Sequence, residues 1–208
     1  GQRTLIAAND VLNNNAGLTE KRLQVAGHNV VYLEGGSGSP LLILHGFSAQ
    51  KEHFSLMATS LVNHHRVFIP DVPGFGESSY DPAKSYDPES QAERLIAFAN
   101  AAGLDRFAVV GNSMGGHLAT IIAAKIPDRV THVVLLSPAG VIGPEKSAFL
   151  RLLESGTNPF DMKTDADAAR LLDLQFHVPP DAIGPVRPAL YQQLKRRGPR
   201  NASIFRDY

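Results

Sequence analysis

With 208 residues, twenty of them basic and twenty acidic, the chain is long enough for one domain with a buried core, and balanced charge without a basic stripe argues against nucleic acid as a partner. The absence of cysteine excludes disulfides, thiolate metal sites and a cysteine nucleophile, and leaves the redox compartment undetermined. No apolar run approaches the roughly 18 residues that cross a bilayer, although a first residue Gly1 in place of Met is expected of a processed or engineered chain, which leaves room for a removed signal peptide or anchor and so for export or membrane association.

Apolar residues Leu5, Ala8 and Leu12, flanked by Ile6 and Val11, predict a short amphipathic helix over residues 4–13, ending in an Asn-rich turn. Docking on the domain is its ordinary role; peripheral membrane contact is the alternative, weakened by Arg3 being the only basic residue near it. Residues 23–26 and 29–33 read as two antiparallel strands suited to a sheet edge, and residues 35–40 as a Gly/Ser loop. From Leu41 the pattern changes to short continuous apolar runs, at residues 41–44, 66–69, 107–110 and 132–136. Helical segments separate them, at residues 54–63, 87–102 and 117–126. Such alternation is what a parallel sheet buried on both faces requires. Asp87-Pro-Glu89 is a helix start with Asp as N-cap and Pro at the first helical position, and Gly103 closes that helix. After Leu136 the alternation stops. Residues 147–153, 165–176 and 186–196 then read as helices of a proline-punctuated region, with Phe149, Leu150, Leu153, Leu171, Leu172 and Phe176 on apolar faces. The expected division is an N-terminal extension over residues 1–20, a core over 21–143 and a helical lid over 144–208.

Three stretches carry the chemistry. The run at residues 107–110 leads into Gly111-Asn-Ser-Met-Gly115, in which Ser113 stands between two glycines at a strand-to-helix turn that lifts its Oγ above the sheet. His45-Gly-Phe47 follows the run at 41–44, and Asp71-Val-Pro-Gly-Phe-Gly-Glu-Ser78 follows the run at 66–69. All three therefore lie at carboxyl ends of strands, where open α/β sheets bind ligands. Acyl transfer needs a nucleophile and two N–H donors for the oxyanion. Ser113 is the nucleophile expected here, with the backbone N–H groups of Met114 and Phe47 as the donors.

In their order and spacing these motifs resemble those of the Ser-nucleophile α/β-hydrolases, over almost the whole chain. His45-Gly-Phe-Ser-Ala-Gln-Lys51 and Ser137-Pro-Ala-Gly140 are most similar to the lipase and esterase branch that includes monoacylglycerol lipases. The resemblance implies an α/β-hydrolase fold, a mostly parallel sheet flanked by helices with a helical lid and incomplete at its C-terminus, and hydrolysis of carboxylic esters through an acyl-enzyme. A small ester or lipid such as a monoacylglycerol or a medium-chain acyl ester is the implied substrate. It would be bound by His45, Gly46, Phe47 and Met114 and by the lid residues Phe149, Leu153, Leu172 and Phe176. No cofactor is required. Asn112 and Gly143-Pro144 also resemble the hydrolases that cleave carbon–carbon bonds in aromatic ring-fission products, which is the second reading. The family's acid and histidine follow the lid, in the order Ser, Asp or Glu, His. They are thus expected outside these 208 residues, carried by a further C-terminal segment or fragment; a noncatalytic protein that keeps only the pocket is the alternative of another class.

None of the eight histidines fits the missing base. His45 is placed to order the oxyanion loop, and His117 lies one turn beyond Ser113 on the helix. His64 and His65 read as solvated helix-end residues, His177 as a lid residue able to line a pocket, and His28, His53 and His132 carry no motif. Asp71 and Glu77 read as turn-stabilising acids. No histidine or carboxylate pair has the helical spacing of a metal site, so no metal is expected. A sheet ending after residues 132–136 would leave an uncovered apolar edge.

Overall fold

The computed structural model describes residues 2–141, 143–176 and 181–208. His177 lies outside them, as do the side chains of Leu5, Ile6 and Ala8. Two compact units are present, one of residues 9–140 and one of residues 1–8 with 141–208.

The larger unit is organised on six strands: β1 (Leu18–Val25), β2 (His28–Gly35), β3 (Ser39–Leu44), β4 (His65–Pro70), β5 (Phe107–Asn112) and β6 (Val130–Leu136). Their order across the sheet is β1-β2-β4-β3-β5-β6. β1 pairs with β2, and β2 with β4, antiparallel; β4, β3, β5 and β6 run parallel. The fold is thus the α/β-hydrolase arrangement expected, with differences at the edges. β1 begins at Leu18, before the expected residue 23, because its first half is Thr19-Glu-Lys-Arg22, an exposed charged edge without apolar alternation. His65 opens β4 and is half-buried, instead of ending a helix in solvent.

α1 (Gln2–Asn15) precedes the sheet, and α2 (Ser55–Leu61), α3 (Pro88–Ala101) and α4 (Met114–Lys125) connect the parallel strands. A 3-10 turn, Lys51–Phe54, leads into α2, which starts one residue after the expected position 54 and ends two residues before the expected 63. Side chains alternate across the sheet. Leu33, Leu41, Ile43, Val67, Ile69 and Val110 meet Phe54 and Ala58 on one face. On the other, Tyr32 stacks on Phe68 at 6.4 Å and meets Phe98 of α3 edge-on at 5.1 Å.

Asp87 caps α3: its carboxylate accepts from the Ser90 N–H at 2.9 Å and from the Ser90 hydroxyl at 2.6 Å. Those two bonds hold its pKa down to about 2, against an ordinary value of 3.8. Because the folded-state pKa is depressed, this stabilisation is present above the ordinary value and is lost as pH falls towards about 2. Asp87→Ala is expected to cost about 1 kcal/mol at neutral pH. The difference in urea midpoint between the two proteins should shrink as the pH is lowered through that window.

β6 is an edge strand, and its Val133, Val134, Leu135 and Leu136 are between 37% and 46% exposed. Such a strand offers ladder groups and apolar side chains to other chains. A polypeptide of residues 1–208 alone is expected to self-associate in light scattering, and a monodisperse monomer would contradict this.

The smaller unit contains α5 (Ala148–Glu154), α6 (Asp165–Gln175) and α7 (Arg187–Asp207), with a 3-10 turn at Asp181–Val186. Ser147 caps α5, and Thr164 with Asp167 forms a capping box on α6. α7 continues to Asp207 instead of stopping at residue 196, passing through Gly198 and Pro199. Tertiary packing overrides the breakers: a Cβ on Gly198 would lie 2.6 Å from the Met162 carbonyl oxygen, and Leu194, Ala202 and Ile204 are buried. The rings of Phe149, Phe160 and Phe205 cluster within this unit at 4.9–6.5 Å.

Candidate active site

Chain order reverses at β3. The chain moves outward from β3 to β4, then crosses back to place β5 on β3's other side. The crevice beyond the carboxyl ends of β3 and β5 is therefore the topological switch point, the place where open α/β sheets bind ligands. Two segments meet there, the turn after β5 and the loop after β3.

Ser113 forms the turn between β5 and α4, with φ 51° and ψ −116°. For a side chain with a Cβ this conformation costs on the order of 1–3 kcal/mol and persists only where the surroundings hold it. Here the Ser113 N–H donates to Leu136 O at 3.0 Å, and its carbonyl accepts from Gly116, His117 and Ala139 at 2.9–3.1 Å. Asn112 Nδ2 donates to the same Leu136 oxygen at 3.1 Å. The flanking glycines are steric necessities. A Cβ on Gly111 would overlap the Gly115 carbonyl, and a Cβ on Gly115 would overlap the Leu44 carbonyl at the end of β3. This close approach also starts α4 at Met114, ahead of the expected residue 117.

Gly46 brings the second segment in. A Cβ there would stand 3.3 Å from Ser113 Cβ and 3.0 Å from Asn112 Oδ1, so the backbone leading to Phe47 passes beside the serine. His45 is 0% exposed. Its Nε2 accepts from the Val72 N–H at 3.0 Å, which leaves Nδ1 as the N–H that donates to Gly46 O at 2.8 Å. The ring is thus a neutral brace inside the loop. Phe47 packs edge-on against Phe75 at 4.9 Å, as His45 does at 5.8 Å, tying this loop to the one after β4. Phe47 and Met114 are 7% and 1% exposed. What they offer at the crevice is therefore backbone, and the Met114 N–H lies at the positive end of α4.

Asp71, at the end of β4, is 0% exposed, and it does more than stabilise a turn. Its carboxylate accepts from the Lys51 N–H at 2.7 Å, the Glu77 N–H at 2.8 Å and Lys51 Nζ at 3.3 Å. Lys51, 1% exposed, also approaches Glu52 at 2.7 Å, Glu77 at 3.3 Å and Glu20 at 3.4 Å. Burial pushes the Asp71 carboxyl above the usual carboxylate range despite the lysine. Burial also works against the Lys51 ammonium, but the charges of Asp71, Glu52 and Glu77 outweigh it and hold the group above an ordinary lysine. The sequence gives no signal for this cluster, because its partners are scattered from residue 20 to residue 77 without a shared motif.

The four expected lid residues belong to the smaller unit. Phe149 joins the aromatic cluster described above, Leu172 is buried, Leu153 is half-buried, and Phe176 is 37% exposed. The His117 ring lies beside Gly140, whose added Cβ would stand 3.8 Å from it. No group of three His, Asp or Glu among the described residues is arranged to hold a metal ion, and no helix among them is long and apolar enough to cross a membrane.

Residues 39–192 match the family model described as the alpha/beta hydrolase fold. Lipase 1 of Psychrobacter immobilis is 38% identical over 173 residues, covering 80% of this chain and 54% of its own length. Monoacylglycerol lipase abhd6-B of Xenopus laevis is 34% identical over 121 residues, covering 57% of this chain and 36% of its own. The crystal structure of a membrane phospholipase A, described as a bacterial virulence factor, superimposes with a TM-score of 0.94 at 38% identity, over 99% of this chain and 67% of that one. The chain thus spans about half the length of Lipase 1.

Proposed function

The chain belongs to the α/β-hydrolase fold family, and on that premise we propose that it carries the nucleophile of a serine lipase or esterase acting on carboxylic esters with fatty or medium-chain acyl groups. The observation that carries this reading is Ser113, held at φ 51° at the switch point with Gly46 alongside. Lipases and a phospholipase among the relatives and structural neighbours support a lipid or ester substrate.

In the proposed reaction Ser113 Oγ attacks the ester carbonyl carbon and its proton passes to a histidine. The carbonyl oxygen takes the negative charge and is met by the N–H groups of Phe47 and Met114. The C–O bond to the alcohol then breaks as the histidine returns the proton to the leaving oxygen. Water repeats the sequence on the acyl-enzyme and releases the carboxylic acid. In the family order of triad residues the acid and the histidine follow the lid. Fluorophosphonate labelling of the full-length gene product tests the reading. Labelling should occur in the wild type and vanish in Ser113→Ala, with hydrolysis of medium-chain 4-nitrophenyl esters following the same pattern. Absence of labelling in the wild-type full-length protein would sink it.

A further inference from the structure

Resting on the ester-hydrolase reading above, we propose that Lys51 is a positioning residue for the oxyanion, its buried ammonium fixing the end of the loop that presents the Phe47 N–H.

The loop from His45 to Lys51 joins β3 to the 3-10 turn at Lys51–Phe54. Within it Ala49 N–H donates to Gly46 O at 3.2 Å, and Ser48 sits at φ 63°, a strained conformation for serine. Both ends of the loop attach to the same place, and Phe47 between them packs on Phe75 at 4.9 Å. At the start His45 Nε2 accepts from the Val72 N–H, and at the finish Lys51 donates its own N–H and its Nζ to Asp71. Residues 71 and 72 thus clip the loop like a two-point mount, with Phe47 between the points. The mount is itself rigid. The Asp71 N–H donates to Val31 O at 2.8 Å, and its carbonyl accepts from Ser78 Oγ, which in turn accepts from the Val31 N–H. Gly76, at φ 52°, leaves no room for a Cβ against the Asp71 carboxylate.

The chemistry explains why this end of the loop needs a lysine. Asp71 is fully buried, and an unpaired carboxylate there would be strongly destabilising, so a cation must enter with it. The four-carbon stem of Lys51 brings the ammonium in, and Glu52, Glu20 and Glu77 hold it from other sides. Methionine matches the stem and removes the charge. Asp71 would then move or take up a proton, and the loop end would shift with it. A shift near 1 Å at a catalytic group costs on the order of a hundredfold in rate.

The experiment uses the full-length protein with a 4-nitrophenyl ester and counts active sites by fluorophosphonate titration. Lys51→Met is expected to lower kcat per titrated site by about 10- to 100-fold, with KM changed less than about threefold. Affinity for a trifluoromethyl ketone, which forms an oxyanion on Ser113, should fall in step, while affinity for an uncharged product alcohol should not. Lys51→Arg should recover part of the loss, and so should Lys51→Met combined with Asp71→Asn, which removes the uncompensated charge. If Lys51→Met loses activity only in proportion to titratable sites, with ketone affinity unchanged, the lysine is merely structural and the proposal is overturned. A wild-type protein without Ser113-dependent turnover would instead fail the ester-hydrolase reading, and this proposal with it.

Discussion

Replacing Ser113 by alanine in the full-length protein is expected to reduce kcat for ester hydrolysis by about a millionfold, the loss seen when the nucleophile of an interdependent triad is removed. The expectation follows from the elbow's geometry and from how little else in the crevice can act in its place. His45 is committed to bracing its loop through both ring nitrogens, and Asp71 is buried against Lys51. On the proposed mechanism the Phe47 and Met114 N–H groups would still polarise a bound carbonyl once Oγ is gone, so a small residual rate above the uncatalysed one is expected to survive. Stability should change by less than about 1 kcal/mol, because alanine carries the same Cβ into the same strained φ. Steady-state kinetics on protein free of wild-type carry-over checks the result. Turnover retained within tenfold would mean that another residue attacks the substrate.

Gly115→Ala should be severely damaging for a single added methyl group. Its Cβ would overlap the Leu44 carbonyl oxygen and lie 2.6 Å from the Leu44 carbonyl carbon. These are backbone atoms of the central strand β3, and they cannot swing aside as a side chain can. Relief requires α4 to retreat from the sheet, which withdraws the Met114 N–H and relaxes the Ser113 turn. A cost of about 3 kcal/mol in stability is expected, together with a loss of turnover larger than unfolding alone explains. Gly143→Ala is the control: its Cβ would have its nearest neighbour, the Glu145 carbonyl oxygen, at 3.8 Å, and its unfolding midpoint should match the wild type. Urea unfolding of both variants decides the matter, and a Gly115→Ala protein as stable as the control would contradict the steric argument.

Much of this fold could be read in the chain because the relevant signals are local. Continuous apolar runs mark the buried parallel strands, Asp87 and Pro88 mark a helix start, and the glycines around Ser113 mark a close strand-to-helix turn. The charged first half of β1 escaped because an exposed edge strand has no apolar period to detect. The second half of α7 escaped because Gly198 and Pro199 are helix breakers locally and become tolerable only when Met162 packs against the glycine.

The sequence by itself determined which chemistry is available: a serine between glycines, a His-Gly-Phe loop and an Asp-Pro-Gly loop, each placed after an apolar strand. The tertiary structure alone decided how those pieces are held. Strand order β4-β3-β5 puts Gly46 beside Ser113, and Leu136 and Ala139 supply bonds that keep the serine at φ 51°. It also decided that Lys51, an unremarked residue in the chain, gathers Asp71, Glu52, Glu77 and Glu20. The physical reason is one of range. Turn chemistry and hydrophobic period act over a few residues and leave their mark in sequence, whereas the neutralisation of a buried charge depends on groups brought together only when the sheet has formed.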